Sequence, residues 1–375
     1  MIQDFEKFFI RIAKTTLISF IAVKILSTDI GALSMSEESW HDGRFDRLYV
    51  AILTPYKQDS YEVDEESLRN LLRYFLQPKY IQAGVGIIIN PEAGEIFYLS
   101  RKEKLRNVEI AVEECGNKVP LFAGAIDLTT EDTVAVAKDA KDAGVDGIFA
   151  MPPIGSMDIT TSWDPAKYPE VWIDQVKAID QVVDMPIICH PTATPTMAYG
   201  IGLPLESTLR MCKEIPNIVG WKMAYNWEGW KRVSRGLREL DRHVGILGAL
   251  ALYFHEAMTC GMFDGTVTGS FNYAPDQIFD HILALRRGDV KKAIEIWNSG
   301  LGALHEYMYS EYSRLHVRYK LGAWLNGLLS NPFMRPPMPR PRKEEAITLW
   351  RLMGRAGIPL IEETVFKDFV AKLPS

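Results

Sequence analysis

From residue 48 onward the chain repeats one pattern, a short apolar run followed by an amphipathic stretch of helical spacing. The runs are LYVAIL (48–53), GVGIIIN (84–90), VPLFAGA (119–125), GIFAMP (147–152), PIICH (186–190), IVGWKM (218–223), VGILGA (244–249) and GTVTGS (265–270). The intervening stretches predict helices over DEESLRNLLRYFL, RKEKLRNVEIAVEEC, TEDTVAVAKDAKDA, EVWIDQVKAIDQVV, PLESTLRMCKEI, WEGWKRVSRGLREL, LYFHEAMTCG and PDQIFDHILALRRG, with Thr130 as N-cap of the third. Strands this apolar are buried on both faces, as in a parallel sheet covered by helices. Eight such units in about 240 residues read as a closed (β/α)8 barrel more naturally than as an open sheet.

The barrel is assigned to residues 44–288, an N-terminal extension to 1–43 and a C-terminal helical region to 289–375. In the last region helices are expected over roughly 289–310 and 315–330, then a break at NPFMRPPMPRPR, then a last helix over 343–355. Near the N-terminus, FFIRIAKTTLISFIAVKIL is interrupted by Arg11, Lys14 and Lys24, which argues against a membrane span. It is read as an amphipathic helical extension, and a start at Met35 would make the first 34 residues dispensable. A net charge of −6 gives no reason to expect nucleic acid. Four cysteines without a C-x-x-C pair point to a reduced, cytoplasmic chain without a disulfide framework or zinc site.

Chemistry in such barrels sits at the C-terminal ends of the strands. Those ends carry Thr54, NPEAGE (90–95), Asp127, MPP (151–153), His190, Lys222, Gly248 and TGSFN (268–272). Lys222 ends a buried run. If its side chain points inward, Gly220 does too, and Trp221 faces the helices. Burial there lowers a lysine pKa and leaves a nucleophilic amine, unless an inward carboxylate such as Glu92 or Glu95 neutralises it. Trp227 and Trp230 either line a pocket or cover the helix. Glu92 and Glu95 are candidate general acid/base and anchoring carboxylates, and His190 a candidate proton shuttle. The seven histidines show no metal-ligand spacing and no nucleotide-binding glycine motif occurs, so neither metal nor nucleotide is expected.

In this order and spacing, VAILTPY, AGE with LSRKEK, PNIVGWK, DGTVTGSFNYAP and RPPMP resemble the dihydrodipicolinate synthase / N-acetylneuraminate lyase superfamily of class I aldolases and dehydratases. The resemblance runs from about Arg44 to Leu360. It implies that Lys222 is a Schiff-base lysine needing no cofactor beyond its own imine, that backbone N–H groups around Glu92, Ala93 and Gly94 hold the substrate carboxylate, and that the chain forms a homo-oligomer, most simply a tetramer. Glu95, Thr54, Gly248, Gly269 and Ser270 complete the expected substrate-binding set. The chain also departs from the family pattern. Glu92 and Ala93 stand where most members have two threonines, and His190 where most have a tyrosine. A second tyrosine, lent across a subunit interface, would fall near Ile154.

Three readings follow. One is a Schiff-base lyase acting on a 2-oxo acid or related carbonyl compound, with Glu92 and His190 as a non-standard acid/base pair. In it, Glu92 is protonated or an acid/base with His190, whose pKa the carboxylate would raise; alternatively, the substrate lacks the usual carboxylate or carries a positive charge there. The others are an enzyme using His190 and Glu92 without a Schiff base, and an altered binding or regulatory protein on the same fold. The expected partner is a small carbonyl substrate, slightly favoured as aromatic or apolar, with no nucleic acid and no membrane.

Overall fold

The computed structural model describes residues 42–153, 164 and 167–373. The expectations for the N-terminal helix and for the position near Ile154 lie outside them. Eight parallel strands close into a barrel: β1 (Leu48–Ala51), β2 (Val85–Ile89), β3 (Leu121–Ala125), β4 (Gly147–Ala150), β5 (Ile187–Cys189), β8 (Ile218–Met223), β9 (Gly245–Gly248) and β10 (Gly265–Thr268). Around the ring the order is β1-β10-β9-β8-β5-β4-β3-β2. All eight fall within the apolar runs of the sequence.

Alternation along each strand separates two cores. Tyr49, Ile88, Phe122, Phe149, Ile188, Leu247 and Val267 fill the barrel interior. Leu48, Val50, Ile87, Ile89, Ile148 and Ile246 face the helical layer. On β8 a register shift pairs Ile187 with Ile218 and then Ile188 with Gly220, so Val219 is the extra residue of a bulge. Beyond it Gly220 faces inward, where an added Cβ would stand 2.7 Å from Leu247 Cδ1. Trp221 packs outward against Trp172, and Lys222 returns to the interior side.

The helices differ from expectation in a few places. Thr129 rather than Thr130 caps the helix Thr130–Ala143, its side chain accepting from the Asp132 N–H. An antiparallel hairpin, β6 (Thr192–Thr196) and β7 (Gly200–Gly202), lies between β5 and helix Leu205–Glu214, where no strand was expected. The stretch 289–310 is two helices, Val290–Ile296 and Gly302–Tyr309, joined by a π turn in which Gly300 has φ 136°. Helix Lys343–Arg355 is followed by one more, Glu363–Ala371. Helix Leu315–Leu325 is buried on nearly every side, and its buried Arg318 and Lys320 are paired with Glu345 and Glu95. No helix among the described residues is long and apolar enough to cross a membrane.

Candidate active site

A cavity of about 190 Å³ opens at the C-terminal ends of the strands. The barrel contributes Glu92, Ala93, His190, Lys222, Thr268 and Gly269 to its lining. The C-terminal helices contribute Tyr309, Tyr312, His316 and Tyr319. These four tyrosine and histidine positions carry no local sequence signal, because only tertiary packing brings that region over the barrel mouth.

Lys222 is 9% exposed, and its Nζ lies 5.5 Å from the centre of the Phe149 ring. Burial pushes its pKa down from 10.5 to about 8, and the charge of Glu92 offsets only part of this. Neither candidate neutraliser forms an ion pair with it among the described residues. Glu95 is paired with Lys320 at 2.5 Å, and Glu92 faces His190, Oε2 to Nε2, at 3.4 Å.

Glu92 belongs to a 3-10 turn, Glu92–Gly94, directly after β2. The turn is anchored from three sides. Thr54 donates to the Gly94 carbonyl at 2.6 Å, and the Glu95 carboxylate accepts from Lys320 and from the Arg335 N–H at 3.0 Å. Glu95 itself sits at φ 62°, ending the turn in the left-handed region. The Gly94 and Glu95 amides are bonded to the carbonyls of Pro91 and Glu92. Those of Glu92 and Ala93 have no acceptor among the described residues, as expected at the head of a helical turn. Burial works against ionisation of Glu92, but His190, His316 and Lys222 outweigh it and hold the carboxyl below its usual range.

His190 follows β5 and stacks on Phe149, with ring centres 5.5 Å apart. Its Nδ1 is buried without a partner among the described residues. Burial pushes the imidazole pKa down to about 3, Lys222 pushes the same way, and Glu92 opposes both without prevailing. This corrects the expectation that the carboxylate would raise it: with the ring 2% exposed, desolvation dominates.

Of the expected substrate-binding residues, Ala93 and Gly269 line the cavity with Lys222, His190 and Glu92. The others do not. Thr54, Gly94 and Glu95 brace the turn from behind, and Ser270 is buried against Thr268 and Tyr309. A Cβ at Gly248 would meet Phe254 and Phe263, on the helical side. Trp227 and Trp230 also stay away from the cavity, packing on each other and on Tyr253, and Trp230 donates to the Met262 carbonyl. The aromatic lining is tyrosine, from the C-terminal helices. A group with possible metal-ligand geometry among the described residues, Asp46, His243 and Asp264, precedes β1, β9 and β10, at the other end of the barrel. There Asp46 pairs with His243, and Asp264 with Arg238.

A model of the Dihydrodipicolinate synthetase family matches residues 44–354. The chain belongs to that family. Among its relatives is an uncharacterized DapA-like lyase of Thermofilum pendens, 28% identical over 322 residues that span 84% of this chain and 99% of that one. Another is 4-hydroxy-tetrahydrodipicolinate synthase of Methanopyrus kandleri, 28% identical over 310 residues, 82% of this chain and 95% of that one. The dihydrodipicolinate synthase of Aquifex aeolicus has the same fold, with a TM-score of 0.70 at 23% identity, covering 85% of this chain and all of that one. So does the chloride-inhibited enzyme of Acinetobacter baumannii complexed with pyruvate, at 0.68 and 24%, covering 83% and 99%. The fold and the family place this chain among lyase-type barrels.

Proposed function

We propose that this family member is a Schiff-base-forming lyase acting on a 2-oxo acid or related carbonyl compound through Lys222. One observation carries the reading: a buried lysine, its pKa near 8 and no ion pair holding it among the described residues, faces a cavity at the strand ends. The free amine attacks the keto carbon. The protonated imine is then an electron sink for carbon–carbon cleavage or loss of water, which calls for no added cofactor. The substrate carboxylate rests on the amides of Glu92 and Ala93, which have no acceptor among the described residues. Glu92, ionised and one-third exposed to the cavity, takes the proton from the substrate hydroxyl as the bond breaks. His190 stays neutral and offers Nε2–H to that carboxylate, fixing its direction. The family resemblance extends the proposal to a homo-oligomer.

Borohydride reduction in the presence of pyruvate tests it. A reduced adduct is expected on the peptide carrying Lys222 and absent from Lys222→Ala. Adducts confined to surface lysines would overturn the reading.

A further inference from the structure

Four hydroxyls run in a line beside the cavity. Thr268 Oγ1 lies 3.1 Å from Ser270 Oγ, Ser270 Oγ 2.8 Å from Tyr309 Oη, and Tyr309 Oη 2.6 Å from Tyr319 Oη. All four residues are buried, and Tyr309 and Tyr319 line the same cavity as Lys222. The line begins at the end of β10 and ends on helix Leu315–Leu325, so the barrel and the C-terminal region each supply part of it. The last ring is seated by an absent side chain. A Cβ at Gly269 would stand 2.6 Å from the Tyr319 ring and 3.3 Å from Ala93 Cβ.

Tyr309 Oη also lies 3.0 Å from the Ala249 carbonyl, and a hydroxyl has one proton to give. Two arrangements follow. In the first, each hydroxyl donates to the next and Tyr319 presents its proton to the cavity. In the second, Tyr309 donates to Ala249, Tyr319 donates to Tyr309, and Tyr319 presents a lone pair. A group able to do both by rotating hydroxyls suits a site where a proton must be given and later recovered.

We propose that Tyr319 is the acid/base group that makes and discharges the imine on Lys222, with Tyr309 and Ser270 positioning it. This rests on the Schiff-base reading above. Attack of the amine forms the C–N bond, and the proton lost from nitrogen is taken up by the former keto oxygen. Tyr319 then protonates that hydroxyl, which leaves as water with the C–O electron pair while the nitrogen lone pair closes the C=N bond. The tyrosinate removes a proton from the adjacent carbon to give the enamine. Tyr319 is then neutral again, and the balance is amine plus 2-oxo acid to enamine plus water.

The test uses the full chain, pyruvate and D₂O. Proton NMR follows exchange of the methyl hydrogens, and borohydride trapping with peptide mapping follows the Lys222 adduct. Tyr319→Phe keeps the ring on Gly269, so the chain should fold and the adduct still be trapped, though more slowly, while exchange falls about 10²–10⁴-fold, the usual loss for a general acid/base. Tyr309→Phe should lower exchange less and move its alkaline limb, because the Tyr319 hydroxyl loses its 2.6 Å partner. Exchange within a few-fold of the parent in Tyr319→Phe, with the adduct retained, overturns this inference and leaves the Schiff-base reading standing. A parent chain with no adduct on Lys222 overturns both. If Tyr319→Phe fails to fold, Tyr309→Phe decides, and an unchanged rate and pH profile there overturns the proposal.

Discussion

Burying an ammonium group costs the fold stability that an apolar side chain would not. For Lys222 a fall in pKa from 10.5 to about 8 corresponds to about 3 kcal/mol. The sign follows from proton binding. Between those pH values the unfolded chain binds more protons than the folded one, so stability rises as pH climbs from about 8 to 10.5, and the full cost applies below 8. Lys222→Met should therefore be more stable than the parent at pH 7, by an amount of that order, with the gap narrowing at pH 10. Thermal melts at both values check this, and a Lys222→Met chain less stable at pH 7 would contradict it. The strand-end position of Lys222, His190 and Glu92 was legible in the sequence, since each lies at or just beyond the end of an apolar run. How His190 titrates was not. A carboxylate neighbour and complete burial push an imidazole in opposite directions, and depth of burial is a tertiary property.

Among the elements, the Glu92–Gly94 turn depends most on distant parts of the chain. Its brace is the buried pair Glu95–Lys320, whose side chains are 1% and 2% exposed and which joins the loop after β2 to a helix 225 residues away. The Lys320 ammonium also lies 4.1 Å from the centre of the Tyr56 ring. Removing one partner of such a pair leaves an uncompensated charge, at about 3–5 kcal/mol, whereas replacing both by apolar groups is often far milder. Lys320→Met should lose stability in that range in urea denaturation, and Glu95→Leu/Lys320→Met should regain most of it. A single variant within about 0.5 kcal/mol of the parent would show that the pair does not brace the turn, by the scale of ordinary surface substitutions. Sequence reading treated Glu95 as a candidate site carboxylate, because the spacing around Gly94 gives no hint of a lysine so far along the chain. Nor did it find β6 and β7: TATPTMAYGIG carries a proline and two glycines and lacks the continuous apolar character of the barrel runs.

For the whole molecule, the barrel was legible because its pattern is local and repeated, with each strand marked by its own apolar run. The cavity was legible only in half. Its floor comes from strand ends that the pattern locates, and its roof from Tyr309, Tyr312, His316 and Tyr319, whose helices are unremarkable as sequence and acquire a role only when folded back over the barrel mouth. Burial is what lowers the Lys222 pKa, so the reactive amine belongs to the assembled chain and not to β8 alone. The rate of borohydride trapping by pyruvate at Lys222, followed from pH 6 to 11 with the adduct quantified by peptide mapping, tests this most directly. Trapping should rise with the free-amine fraction and reach half its plateau near pH 8. A rate still climbing through pH 10, as for a solvated lysine, would contradict the account.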